Sequence, residues 1–374
     1  MSDVGSHRLE ETLAGCGPAA RVYLRPDGIL AGQAAADLLS AGRGLAIAGG
    51  PLVAAACELL IRADGRVRRC TVGGDDLATW VHESGHPAAT SVAAVLERIS
   101  ASRVGVADGP RIMGVVNVTP DSFSDGGTFL DPMNAIAHCE SLLAGGAHIL
   151  DVGGESTRPG ALPVAPEVEL ARVRPVLEAL RGRRATMPGV EISIDTRRAV
   201  VMRFALDSGV DIINDVSALA GYGSVAVAVA GRARIVLMHM QGTPETMNDR
   251  PVYEDVALDV YDWLEARVEA CVAAGIDRSR LIVDPGMGFG KRGTHNLELL
   301  RQLALFHGLG CPVLLGVSRK GLGGGLSSLP PGERVPSSLA AAMHALSLGV
   351  QYLRVHDVAA TRQVVELWRR LSTD

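Results

Sequence analysis

Aromatic residues make up only 3% of this 374-residue chain, so any core must be built mostly from Ala, Val and Leu. Hydrophobic residues reach 47% and charged residues 21%, enough for a substantial core. No uninterrupted apolar stretch reaches the roughly 20 residues that a membrane-spanning helix needs, so no membrane partner is expected. The opening MSDVGSHRLEE lacks a basic start followed by an apolar run, so no secretory leader is expected. The six cysteines, Cys16, Cys57, Cys70, Cys139, Cys271 and Cys311, are scattered without a CxxC pair. They read as reduced thiols of a cytoplasmic protein and argue against structural zinc. The formal net charge of -5 argues against a nucleic-acid scaffold, yet leaves room for a local basic pocket.

The length suggests two domains, or one large domain with an extension. Residues 1–105 hold apolar runs at Gly44 to Ala48 and Ala54 to Ile61, and a helix is expected over Ala88 to Ile99. They contain no catalytic constellation and read as a small α/β N-terminal extension. His82 and His86 have helical i, i+4 spacing, but Gly85 and Pro87 break that helix, so they read as surface histidines. Ala101 to Pro110 reads as a linker.

Residues 106–374 are regular. Eight short apolar runs alternate with longer amphipathic stretches: Arg111 to Val118, His148 to Val152, Glu191 to Asp195, Val210 to Asn214, Arg234 to Met238, Arg280 to Asp284, Val313 to Val317 and Gln351 to Val355. A helix is expected over Tyr253 to Ala274, ending at Gly275. Eight strand-helix repeats predict an α/β fold, a (β/α)8 TIM barrel, with an open doubly wound sheet as the structural alternative.

Each run ends in polar or glycine-rich residues, and in a barrel all these ends meet on one face. A single Asp or Asn there is a plain turn residue. Carboxylates, amides, a lysine, an arginine and a histidine together require more than capping. Gly286 to Gly290 is not GxGxxG, and no GxxxxGK[ST] is present, so Rossmann and P-loop nucleotide sites are set aside. Asp195, Asn214 and Asp284 suit the donor-acceptor edge of an amino-pyrimidinone heterocycle. Lys320, Arg354 and His356 come from strands seven and eight, where barrels commonly hold phosphate. Asn117 offers a neutral oxygen for Mg2+ carried in by phosphate oxygens.

At these residues the sequence closely resembles the dihydropteroate synthase family, from about Arg111 to the C-terminus. The long segments NVTPDSFSDGG (Asn117 to Gly127) and GGESTRPG (Gly153 to Gly160) carry most of that resemblance. It implies a transferase of folate biosynthesis, and a sulfonamide target. Such an enzyme joins 4-aminobenzoate to 6-hydroxymethyl-7,8-dihydropterin diphosphate. The resemblance further implies that Asp195, Asn214, Asp284 and Lys320 bind the pterin, in a pocket lined by Met238, Phe289 and Gly316. Asn117 then matches the metal-binding asparagine, and Arg354 with His356 the diphosphate-binding pair. Thr157, Arg158 and Pro159, with Phe123, help build the aminobenzoate site. A homodimer through the last barrel helices is also implied.

One departure stands out. After Lys320 the family commonly has Ser and then larger residues opening helix seven, whereas here the chain reads Gly321-Leu322-Gly323-Gly324-Gly325. A backbone N–H at Gly321 is expected to serve the aminobenzoate carboxylate at a helix start, without a serine hydroxyl. Two other readings are a pterin-dependent methyltransferase, which lacks the two long segments, and a catalytically silent barrel. His138 and Cys139 read as structural and His239 as a structural hydrogen-bonding group near the site; turn geometry explains Glu155 as well as catalysis does, and His344 reads as a packing position.

Overall fold

In a parallel strand successive side chains point to opposite faces, so a short apolar run inside a barrel splits into an inner and an outer set. The computed structural model describes residues 3–14, 20–106, 109–119, 132–158, 160–247, 249–323 and 328–373. Its N-terminal part runs α1 (Asp3–Leu13), β1 (Arg21–Leu30), α2 (Gly32–Ser40), β2 (Leu45–Ala46), β3 (Val53–Ala63), β4 (Arg66–Gly73), α3 (Gly74–Glu83) and α4 (Ala89–Ser100). The barrel strands are β5 (Arg111–Asn117), β6 (Ile149–Gly153), β7 (Glu191–Asp195), β8 (Ile212–Asp215), β9 (Arg234–Met238), β10 (Leu281–Asp284), β11 (Leu314–Leu315) and β12 (Tyr352–Val355). Between and after them lie α5 (Pro132–Ala144), α6 (Pro166–Gly182), α7 (Ala199–Asp207), α8 (Ser224–Ala230), α9 (Val256–Ala273), α10 (His295–Arg301), α11 (Val335–Ser347) and α12 (Val358–Thr373).

The eight strands form one parallel sheet in the order β10-β9-β8-β7-β6-β5-β12-β11. A parallel bridge from Val283 to Val313 joins its two ends, so the sheet is a closed barrel and not an open one. Each expected run falls on a strand. β11 is the shortest, because ladder pairing stops before Gly316, where the backbone comes close to site side chains. Outward residues such as Leu150, Ile194, Ile213 and Leu353 join the large cluster beneath the helices. Inward residues stack in layers. Met113, Ile149, Ile212, Val236, Ile282, Leu314 and Tyr352 form an apolar plug. One step further along each strand comes the polar layer that makes the site.

The helix expected from Tyr253 begins at Val256 instead, because the Asp255 side chain caps it, accepting from the N–H groups of Ala257 and Leu258 at 3.1 and 3.2 Å. The N-terminal sheet is antiparallel and centred on β3, which pairs with β1, β2 and β4. One sheet face packs on its own helices through Leu24, Leu59, Leu77, Trp80 and Val92. The other face, with Tyr23, Ala54 and Leu60, joins the barrel's own cluster. Tyr23 meets Tyr261 edge-on at 5.4 Å and donates to Asp262 at 2.8 Å. Arg62 pairs with Asp259 at 2.6 Å and Asp262 at 3.0 Å, so the sheet is bound to one face of α9.

The segment expected to be a linker is exposed at Ala101, Ser102, Val104 and Gly105 but anchored at two points. Arg103 is buried and donates to the carbonyls of Arg98, Ala101 and His307. Val106 packs against the apolar plug at the N-terminal end of the barrel. His82 lies near the end of α3, while the His86 ring accepts from the Ala88 N–H at 3.1 Å, ahead of α4. His344 is exposed, not packed, and its Nε2 lies 3.1 Å from the Leu300 carbonyl.

Candidate active site

The inward alternation of β6, β7, β8, β9, β10 and β12 brings Asp151, Asp195, Asn214, Met238, Asp284 and Arg354 to the barrel interior above the plug. Arg354 lies between two carboxylates: its Nε donates to Asp151 Oδ2 and its Nη2 to Asp195 Oδ2, both at 2.6 Å. Asn214 Nδ2 donates to the same Asp151 oxygen at 3.0 Å, which orients the amide. Asp284 Oδ1 accepts from the Gly286 N–H at 2.7 Å. A Cβ built on Gly316 would lie 3.7 Å from Asp284 Oδ2, 3.8 Å from Lys320 Nζ and 4.0 Å from Arg354 Cβ. Gly316 therefore lies where three expected site residues meet, and its missing side chain leaves the floor open.

Lys320 reaches back over the turn after β10. Its Nζ donates to the Met287 carbonyl at 2.6 Å and lies 4.5 Å from the Phe289 ring centroid. Phe289 and Met238 share an apolar cluster with Val216 and Met247, so two of the three expected lining residues form one wall.

Burial governs the electrostatics. It opposes the charge on Arg354, yet Asp151 and Asp195 more than offset this, and its pKa ends above the ordinary value. Burial pushes the Asp195 carboxyl up, against the pull of Arg354. Asp284 is likewise raised by burial, with Lys320 opposing. Lys320 is lowered to about 8 by burial, although Asp284 favours its charge. His356 is lowered to about 4, first by burial and then by Arg354. Its ring is neutral at neutral pH in the free protein, with Nδ1 at 3.2 Å from Ser318 Oγ.

Other expected residues lie at the rim. Asn117 ends β5 on its inward-facing register. Thr157 is half-buried and Arg158 exposed, beyond β6. Pro159 and Phe123 lie outside the described residues. Gly321 does not open a helix: the chain is irregular from 321 to 323, and α11 starts at Val335 after a short turn at Pro331–Arg334. Gly321 and Gly323 disfavour a helix directly after Lys320.

Three groups with no role assigned from sequence belong to this end of the barrel. Asp151 is fully buried beneath Arg354; its signal was its place two residues before Gly153, on the inward face. Lys291 and Lys320 are the chain's only lysines. Lys291 is buried, and its Nζ contacts His239 Nδ1 at 2.8 Å and the carbonyls of Phe289, Gly286 and His239 at 2.9, 3.0 and 3.3 Å. Burial and Lys291 hold His239 down at about 2, so its ring accepts as a neutral base. The pair staples the turn that carries Met287 and Phe289. In that turn Gly286 has φ +69, and a Cβ there would fall 1.9 Å from the His239 carbonyl. Finally, Glu155 is more than a turn residue. Buried at the foot of the second loop, it pairs with Arg197 at 2.8 Å and accepts from the Val164 N–H at 3.1 Å.

Among the described residues, no three His, Cys, Asp or Glu side chains cluster to hold a metal. Asn117 carries a neutral amide oxygen at the end of β5. That donor fits Mg2+, which keeps water and phosphate oxygens and takes few protein ligands, better than a resident protein cage.

The closed barrel carries buried carboxylates beside Lys320 and Arg354 at one end, and the pterin binding enzyme family matches residues 113–356. The dihydropteroate synthase of Neisseria meningitidis serogroup B is 50% identical over 271 residues, covering 71% of this chain and 93% of that protein. The Escherichia coli K12 enzyme is 44% identical over 258 residues, covering 69% and 90%. A solved Yersinia pestis dihydropteroate synthase in complex with a sulfonamide drug superposes with TM-score 0.67 at 42% identity, covering 71% and 94%. The Xanthomonas albilineans enzyme with 7,8-dihydropteroate gives TM-score 0.63 at 43% identity, again covering 71% and 94%. The chain belongs to the pterin-binding enzymes, in the dihydropteroate synthase family. It condenses 6-hydroxymethyl-7,8-dihydropterin diphosphate with 4-aminobenzoate, giving 7,8-dihydropteroate and diphosphate. The methyltransferase and silent-barrel readings fall away.

Proposed function

We propose that the ring of Asp151, Asp195, Asn214, Asp284, Lys320 and Arg354 binds the pterin and lowers the barrier to loss of diphosphate. The observation that supports this most is the bridging of Asp151 and Asp195 by Arg354, with Asp284 and Lys320 across Gly316. Asp195, Asn214 and Asp284 present oxygens to the amino-pyrimidinone N–H groups, and Lys320 faces the ring beside Phe289. Arg354 and His356, with Asn117, receive the diphosphate. Mg2+ held there by Asn117 and the diphosphate oxygens would neutralise charge on the leaving group.

The bond between the pterin methylene carbon and the diphosphate oxygen breaks, its electron pair leaving with diphosphate. The amine nitrogen of 4-aminobenzoate then forms the new C–N bond and sheds a proton. Asp195 and Asp284 stabilise the positive charge that develops on the methylene and pterin in between. The family resemblance assigns Thr157, Arg158, Pro159 and Phe123 to the aminobenzoate site, whose closure would exclude water. The Gly321 N–H serves the aminobenzoate carboxylate from an irregular segment. We further propose that the enzyme works in the cytoplasm as a homodimer. Described cysteines that form no disulfide support the first, and Leu367 and Leu371, exposed one turn apart on α12, support the second.

The test is diphosphate release with both substrates. Asp195→Asn is expected to lower kcat by roughly 100-fold while leaving the KM for 4-aminobenzoate nearly unchanged. An unchanged kcat with only a raised KM for the diphosphate substrate overturns the cation-stabilising role.

A further inference from the structure

Arg319 adopts a left-handed backbone, φ +57, that side chains other than glycine rarely adopt. Such residues persist where their surroundings over-determine them. Here the Arg319 N–H donates to Ser338 Oγ at 2.8 Å, and its carbonyl accepts from Arg334 Nη1 at 3.2 Å. Its guanidinium makes a paired contact with Asp357, Nε to Oδ2 at 2.9 Å and Nη2 to Oδ1 at 2.6 Å. The start of α11 and the segment beyond β12 thus converge on one residue just beyond β11.

Its two neighbours face the two halves of the site. On one side Ser318 Oγ accepts from the His356 N–H at 3.1 Å and lies 3.2 Å from His356 Nδ1. On the other, Lys320 bends over the Met287 carbonyl and the Phe289 ring. In this chain no helix begins directly after Lys320 to order it from the other direction, since residues 321–323 are irregular.

We infer that Arg319, clamped by Asp357, is a positioning residue: it fixes the strained unit that aims Lys320 at the pterin and Ser318–His356 at the diphosphate. The inference rests on the proposed roles of Lys320 and His356. A half-exposed ion pair of no consequence is the competing view, as the Arg319 side chain is 39% exposed.

Steady-state kinetics on the full chain separate these views, with Arg319→Gly, Arg319→Lys, Asp357→Asn and, as a reference, Lys320→Ala. Arg319→Gly keeps the left-handed backbone accessible but removes the clamp. Arg319→Gly and Asp357→Asn are each expected to raise the KM for the pterin diphosphate roughly fivefold, the upper range for such a pair. The KM for 4-aminobenzoate and the thermal midpoint should stay near those of the parent. Arg319→Lys, with a single charge and no fork, should be intermediate. Parental KM values in Arg319→Gly and Asp357→Asn, beside an impaired Lys320→Ala, overturn the clamp. So does an equal rise in both KM values with a lowered midpoint. Should Arg319→Gly not fold, a parental KM in Asp357→Asn overturns it alone. An unimpaired Lys320→Ala instead removes the underlying site assignment.

Discussion

Nη2 of Arg354 donates to Oδ2 of Asp195 at 2.6 Å, joining two residues that the sequence assigns to opposite halves of the substrate. Asp195 was expected at the pterin and Arg354 at the diphosphate. Their contact holds the cation proposed for the leaving group and the anion proposed for the pterin as one unit. Asp151 completes it from below and has no other cation bonded to it among the described residues.

Asp151→Asn should therefore disturb both halves. Removing one carboxylate from a buried ion pair costs on the order of 3 kcal/mol. Denaturant melts should show a loss of that order, and pterin binding followed by fluorescence should weaken. Unchanged melts and unchanged pterin affinity together would show that Asp151 is only filler.

Activity and stability should part company above pH 8. Lys320 titrates near 8 when folded, below its ordinary value of 10.5. Between these values the unfolded chain binds the extra proton, so the Lys320 contribution makes the protein more stable as pH rises through that window. The pterin site meanwhile loses its cation, so kcat/KM should fall above about pH 8. Lys320→Met should remove the stability rise; a parental stability profile in that variant would refute the assignment.

Lys291→Met should loosen the turn that carries Met287 and Phe289. It strips the donor from His239 Nδ1 and from buried carbonyls, each costing about 1–3 kcal/mol when left unpaired. We expect a thermal midpoint lowered by several degrees and a higher KM for the pterin diphosphate. A parental midpoint would mean that water replaces the ammonium.

Deleting residues 1–105 should damage the barrel and not merely shorten the chain. The cut removes Tyr23 and Leu60 from the shared core and exposes Tyr261 and Phe306, which are buried beside the N-terminal sheet. It also leaves Asp259 and Asp262 without Arg62. Aggregation or a strongly lowered midpoint is expected. A soluble truncation with parental kcat and midpoint would show that the extension is dispensable.

The barrel strands, and the convergence of their polar ends, are legible in the sequence. Short apolar runs such as Glu191 to Asp195, buried on both faces, select strands, and a closed parallel barrel sends every strand end to one face. Asp195, Asn214, Asp284, Lys320 and Arg354 were therefore legible as neighbours. Only the tertiary structure decided what each touches. Asp151 and Arg354 are 203 residues apart in sequence and meet because the barrel closes between β5 and β12. Lys291 finds His239 only when the β10 turn folds onto the end of β9. The left-handed Arg319, the late start of α11 and the packing of Arg103 and Val106 follow from long-range partners that no local pattern encodes. Local alternation fixes which way a side chain points, whereas its partner depends on sheet closure and on loops that pack across it.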